Sequence, residues 1–324
     1  MTTHNAQSLG MQTLKVLSKQ KAVIAIAVML IIMLFPDTSF FTQANIMNIF
    51  RASSTNLIIA FGVTLAVICR GCDLSVGSVM SLSGILCIML INSGIHYVLA
   101  IILAILSGSV IGFINGFLIV KQKTEAFIIT LGMGMLVNGV ALQMTDGNPV
   151  AARSLDFMMI SNGNTLGIPN IMLFMLLIGG FTYLLLRYTS FGRNCYALGG
   201  DYEVAEHSGI NVIRTKWIAF VLTGTYAAIA GVLLSSRMNT GSAIFGAEIP
   251  LMVNCGVVIG GTSFAGGVGG VPHSFIGIMV MQLLRNVMDM LTIDRYVQQM
   301  VLGVMIVTII ALDCYAIKRK KEDV

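Results

Sequence analysis

Between Ala22 and Ala316 long apolar runs recur with short polar connections, and this alternation restricts the chain to a bundle of membrane-spanning helices. An apolar helix near twenty residues covers the hydrocarbon width of a bilayer. Charged residues make up 10% of the sequence and hydrophobic ones 56%, with a mean hydropathy of +0.89. Water-soluble domains carry about 25% charge. No polar stretch approaches the roughly 50 residues that a separate soluble domain needs. The expected fold is an all-α integral membrane protein of about ten transmembrane helices with glycine-broken segments. A polar segment 1–21 precedes a transmembrane domain 22–317, and a basic tail 318–324 follows. The polar start lacks the cleavage-site design of a signal peptide, so the first run is expected to stay as an anchor.

The runs are read as Ala22–Phe35, Ile46–Cys69, Val76–Ile91, Tyr97–Val120, Phe127–Leu142, Ile171–Leu186, Trp217–Leu234, Pro250–Gly260, Val271–Leu284 and Val297–Ala316. The second begins with the polar Arg51-Ala-Ser-Ser-Thr-Asn56, which places its first turns at an interface or against protein. Gly108, Gly112 and Gly116 stand four apart in the fourth, the spacing that lets helix backbones approach closely, so this run is expected to be packed and central. Thr145–Asn170 is read as the longest loop on one face.

Charge placement orients the bundle. With both termini cytoplasmic, Lys15, Lys19, Lys21, Arg70, Lys121, Lys123, Arg187, Arg193, Arg214, Lys216 and Lys318–Lys321 share one side, 14 of the 19 basic residues. Arg51, Arg153, Arg237, Arg285 and Arg295 are left elsewhere. This is the positive-inside pattern, and it accounts for the net charge of +5 without a nucleic-acid partner.

On the cytoplasmic side lies a polar island, Tyr188–Lys216. Within it Asp201–Gly209 reads as a short helix: Asp201 as N-cap, early acids at the positive dipole end, and Gly209 as the stop. One organised helix displayed on one face implies a partner that grips it.

Two glycine-rich breaks separate apolar runs directly, Arg70–Ser78 and Gly260–Gly270. Each is either a tight turn between hairpin helices or a discontinuous helix beside a solute path. Their matched positions, after the second and eighth runs, fit a duplicated unit. Polar residues within runs or breaks face the protein interior, either bonding helix to helix or lining a path. The path candidates are Asp73, Ser75, Asn115, Asn138, Asn254 and Thr262; Gln282, Arg285, Asn286, Gln298 and Gln299 are further polar positions.

No enzyme constellation accompanies them. The four histidines lack ligand spacing, so no metal site is expected. Cys69-Arg-Gly-Cys72 has the C-x-x-C spacing without a second pair, and is read as chance. The glycine-rich Gly260–Gly270 contains no lysine and is not a P-loop, so the chain cannot hydrolyse ATP by a P-loop of its own. No catalytic residue and no cofactor is assigned. A stand-alone facilitator or ion-coupled carrier of a small polar solute stays open, as does a membrane enzyme or scaffold; the scarcity of buried acids and histidines argues against a proton pump.

Four stretches together resemble the permease subunits of bacterial ATP-binding-cassette sugar importers of the ribose/xylose/galactoside type. They are Asp73-Leu-Ser-Val-Gly-Ser-Val79; Asn115-Gly116 with Phe127-Ile-Ile-Thr-Leu-Gly132; Phe191-Gly-Arg193, Ala197-Leu-Gly-Gly200 and Ser208-Gly-Ile210; and Val258-Ile-Gly-Gly-Thr-Ser263 with Gly266-Gly267. The resemblance spans about Asn45 to Asp313. It implies a monosaccharide as solute and a multi-pass place in the bacterial inner membrane. It also implies a separate ABC ATPase subunit, a periplasmic or extracellular sugar-binding protein, and a second permease copy, as homodimer or paired permease. The island helix then resembles a coupling helix, with Asp201, Glu203, Ala205, Glu206, Ser208 and Gly209 as ATPase contacts. Thr124-Glu125-Ala126 stands where the family usually has proline, Val268-Gly-Gly270 where it often has R-G-S, and Pro250–Cys255 where it has L-D-A-I-A-A.

Overall fold

The computed structural model describes residues 38–322 apart from positions 123 and 166. The segment 1–21 and the first expected run lie outside the described residues, as does Lys123. A short 3-10 turn, Thr38–Phe41, leads into α1 (Gln43–Ile68), α2 (Val76–Asn92), α3 (Tyr97–Gln122) and α4 (Ala126–Thr145). A connection follows that holds β1 (Val150–Ala151), α5 (Leu155–Asn162), β2 (Asn164–Thr165) and β3 (Ile168–Pro169). Then come α6 (Asn170–Tyr188), α7 (Ser190–Gly200), α8 (Tyr202–His207), α9 (Val212–Met238), β4 (Thr240–Gly241), α10 (Ile249–Ile259), α11 (Val271–Met290) and α12 (Arg295–Glu322). Among the described residues five helices, α1, α3, α4, α6 and α9, are long and apolar enough to cross a membrane by length and composition.

The innermost helix is α1. Of its most apolar window 89% is buried, against 28% for α3 and 22% for α4. Its polar start is indeed packed against protein, because the hydroxyls find acceptors within the helix itself. Ser53 Oγ donates to Ile49 O at 2.6 Å and Ser54 Oγ to Phe50 O at 2.7 Å. Hydroxyls bonded four residues back leave nothing unsatisfied when buried.

The expectation of a central fourth run needs correction. Helix α3 packs by one face only, and Leu99, Ile102 and Leu106 on its other face are exposed. The glycine stripe does what its spacing predicts. An added Cβ at Gly108 would lie 2.5 Å from Ala228 Cβ, and one at Gly116 would lie 2.5 Å from Trp217 Cδ1. Gly224 of α9 sits opposite, so two backbones meet. Trp217 Nε1 donates to Phe113 O at 2.9 Å and fastens the same crossing. Helix α9 also reaches α1, where Thr223 Oγ1 donates to Gly62 O at 2.9 Å.

The long connection 145–170 is structured. Ser154 caps α5 by accepting from Phe157 N at 3.3 Å, and Ser161 Oγ donates to Leu233 O at 2.7 Å, pinning α5 to α9. Strand β1 pairs antiparallel with β4, Val150 opposite Gly241 and Ala151 opposite Thr240.

After β4 the chain turns back into the bundle. Gly241 lies against Ile85, Gly246 N donates to Ser81 Oγ at 2.9 Å, and Gly246 touches Gly77 backbone to backbone. These contacts move steadily toward the start of α2. Helix α10 begins at that depth and has 11 residues, about 16 Å at 1.5 Å per residue. That is roughly half a 30 Å hydrocarbon layer. The segment that runs back along α2 is thus 239–248, ahead of α10, whereas the sequence pointed to the glycines after it.

Candidate functional site

The polar island folds into two helices rather than one, since α7 occupies 190–200, a stretch that its glycines disguise as loop. Thr189 Oγ1 accepts from Gly192 N at 3.2 Å and caps α7. Asp201 caps α8 as expected, accepting from Val204 N at 3.0 Å. Gly209, at φ +80°, terminates it. Gly209 N donates to Glu206 O and Ile210 N to Ala205 O, both near 3 Å, the paired bonds of a Schellman stop.

Asp201, Glu203, Glu206, Ser208 and Gly209 are exposed on this island. Ala205 is placed differently: it turns inward at 3% exposure and packs into the main core. The outward apolar side chains are Tyr202, Val204 and Ile213, all exposed. They escape a reading that looks for small and charged residues. The exposed face of the island is a carboxylate rim around apolar side chains.

Arg70 ties this island to the bundle. Its Nε donates to Gly199 O at 2.9 Å and its Nη2 to Gly200 O at 2.6 Å, the last carbonyls of α7. A cation at a helix C-terminus is favoured by the dipole. Gly267 N donates to Ile68 O at 3.0 Å, and Tyr196 hydroxyl to Gly269 O at 3.0 Å. Burial pushes the Tyr196 phenol above its ordinary value, so it stays a neutral donor. Both glycine-rich breaks therefore converge on the end of α7. Nothing local in the sequence announces Arg70 as the joining residue; its partners are 129 and 130 positions away.

Three residues beyond Arg70 a buried polar seam begins. Asp73, Ser75, Asn115 and Asn254 are all at most 2% exposed. Asp73 Oδ1 accepts from Ser75 N at 2.8 Å and from Ser75 Oγ at 2.6 Å. Asn115 Nδ2 donates to Ser75 Oγ at 2.9 Å. Asn254 Nδ2 donates to Asp73 O at 3.1 Å, bringing α10 to the first break. Thr130 Oγ1 accepts from Leu74 N and donates to Cys72 O, both at 3.1 Å, adding α4. Asp73 Oδ2 and Asn115 Oδ1 are buried without a partner. Four of the six path candidates thus meet. Asn138 lies apart, in the wall of a cavity of about 500 Å³ that also touches Leu74, Ser78, Gly134, Gly246 and Pro250. Thr262 is buried in the second break, beside Gly269, its hydroxyl unpartnered.

The C-x-x-C spacing makes no unit. Cys69 faces Cys195 on α7, while Cys72 Sγ donates to Asn254 Oδ1 at 3.3 Å. Among the described residues no three histidines, cysteines or carboxylates cluster as a metal site. Gln298 Nε2 donates to Asp289 Oδ1 at 2.9 Å, Arg285 pairs with Glu248, and Asn286 exchanges amide bonds with Asn45; these polar positions bond helix to helix.

A profile described as the branched-chain amino acid transport system / permease component matches residues 45–310. The ribose import permease protein RbsC of Bacillus subtilis is 37% identical over 300 residues, 92% of this chain and 93% of its own. RbsC of Haemophilus influenzae is 34% identical over 303 residues, 92% and 94% of the two chains. The D-allose transport system permease protein AlsC of Escherichia coli is 34% identical over 275 residues, 85% and 84%. No solved structure matches.

Proposed function

The chain belongs to the branched-chain amino acid transport system / permease component family, a family of multi-pass membrane transport subunits, and on that premise we propose that it forms the pathway of an ATP-binding-cassette importer for a monosaccharide. A separate subunit hydrolyses ATP, an external binding protein delivers the sugar, and a second permease copy completes the core. The chain spans the inner membrane about ten times with both termini in the cytoplasm, which the distribution of basic residues supports.

The observation that carries this reading is the continuous connection from an exposed, well-capped island helix through Arg70 to the buried seam at Asp73. Movement imposed on α7 and α8 by an ATPase is transmitted by the Arg70 bonds to the break between α1 and α2. The seam shares that break with α4 and α10, so it opens or closes with it. Unpaired acceptors at Asp73 and Asn115 take sugar hydroxyls when it opens; each good neutral hydrogen bond contributes about 1 kcal/mol.

The test is replacement of Glu203–Gly209 by a flexible linker of equal length. Membrane insertion is expected to be normal and sugar uptake with the ATPase and binding protein is expected to be lost. Full uptake by that variant, or sugar flux in liposomes holding the permease alone under an ion gradient, would establish a stand-alone carrier instead.

A further inference from the structure

At the end of the bundle away from the island, two arginines from different helices lie together with no acid paired to either among the described residues. Arg51 is in the third turn of α1 and Arg237 in the last turn of α9. Arg237 Nη1 donates to Arg51 O at 3.3 Å, so its guanidinium rests on α1 at the root of the other arginine. Arg51 Nε is shielded from solvent and has no acceptor. Both residues are otherwise half-buried.

Among the described residues nothing neutralises the two charges. Glu248 with Arg285 is the carboxylate–guanidinium pair found among the described residues, and it engages neither arginine. Asn162 Nδ2 donates to Ser236 O at 3.4 Å and to Arg237 O at 3.2 Å, which fixes the α9 terminus but supplies no acceptor. Asp156 on α5 is exposed and makes no ion pair. The negative end of the α9 dipole accounts for one cation. It leaves the second, with a shielded N–H, unexplained. A buried donor without an acceptor is destabilising, and two adjacent guanidinium ions repel.

We propose that Arg51 and Arg237 together bind one phosphate oxyanion. A tetrahedral phosphate presents several strong acceptors, and guanidinium forks match it in pairs. It would neutralise both cations, and Arg51 Nε, shielded in the free protein, would turn onto one of its oxygens. The pair lies near helix ends, the level at which lipid phosphodiesters sit, so a headgroup is one source and free phosphate in the surrounding water is the other.

The experiment uses the full-length chain purified in detergent and stripped of lipid. Thermal stability is measured while phosphatidylglycerol or inorganic phosphate is added, for wild type, R51Q/R237Q, R51K/R237K and R153Q. Arg153 is an exposed arginine of the same end, without a place in the pair. Wild type and R153Q are expected to be stabilised at the same ligand concentration. R51Q/R237Q is expected to need at least about tenfold more, equivalent to roughly 1.4 kcal/mol. The lysine pair keeps both charges, loses the forks and is expected to fall between; it carries the comparison should the glutamine pair not fold. Stabilisation by phosphatidylglycerol alone assigns the phosphate to lipid, and stabilisation by inorganic phosphate assigns it to free anion. No stabilisation of wild type by either, or an equal loss in R153Q, overturns the proposal.

Discussion

Arg70→Gly separates the transmission through Arg70 from the folding of its turn. Arg70 adopts φ +55°, left-handed backbone that costs a non-glycine residue about 1 kcal/mol or more. Glycine removes that strain, so the variant is expected to fold and insert at wild-type levels. What it loses is the guanidinium. Two hydrogen bonds from a charged donor are nominally worth about 1.5–3 kcal/mol each. The Nη2 bond is solvent-exposed and the Nε bond half-buried, so about 2 kcal/mol in total is a fair value after screening. If that energy holds α7 to the break, its loss lowers sugar-dependent uptake about thirtyfold at saturating ATP. Basal ATP hydrolysis by the partner subunit stays unchanged. Uptake is measured in membrane vesicles with expression normalised by immunoblot. Uptake within twofold of wild type would refute the argument that motion passes through Arg70.

Asp73→Ala strips Ser75 N of its buried acceptor and is expected to destabilise the protein by about 1–3 kcal/mol in a detergent melting assay; Asp73→Asn keeps an acceptor and is expected to melt near wild type. Gly112→Leu forces α3 off α9 and is expected to abolish the monodisperse peak in fluorescence-detected size exclusion, whereas Gly132→Leu, on the open face of α4, is expected to preserve it. Asp201→Ala removes the α8 cap, worth about 1 kcal/mol of local helix stability, and is expected to reduce uptake several-fold with no change in membrane abundance.

Much of the bundle was legible because apolar periodicity and caps are local. The runs read from sequence coincide with α1 to α4, α6 and α9 to α12, usually short by a turn at the ends. The α8 cap and stop were readable from Asp201 and Gly209. Helix α7 was not, because Gly192, Gly199 and Gly200 look like turn residues. Gly192 and Gly199 are instead required by close contact: a Cβ at either would collide with the carbonyl of Leu186 or Ile68. The meeting of Asp73, Asn115 and Asn254 depends on pairings up to 181 residues apart, for which a single sequence holds no register. The return of 239–248 along α2 was hidden for the opposite reason. Its residues are ordinary, and only the brevity of α10 marks the depth at which it starts.

The burial of α1 gives this chain an inverted tolerance to change. Of the five long helices, the least greasy is the one most enclosed, and the greasiest, α3, is largely bare. A saturation scan should therefore run against intuition drawn from soluble proteins. Leucine, valine and phenylalanine on the outer faces of α3 and α4 should interchange freely, since lipid offers no shape to match. Serine, threonine and small residues within α1 should resist replacement, even by bulkier apolar ones. Stabilising this protein by making its interior oilier would remove the features that let its helices recognise each other.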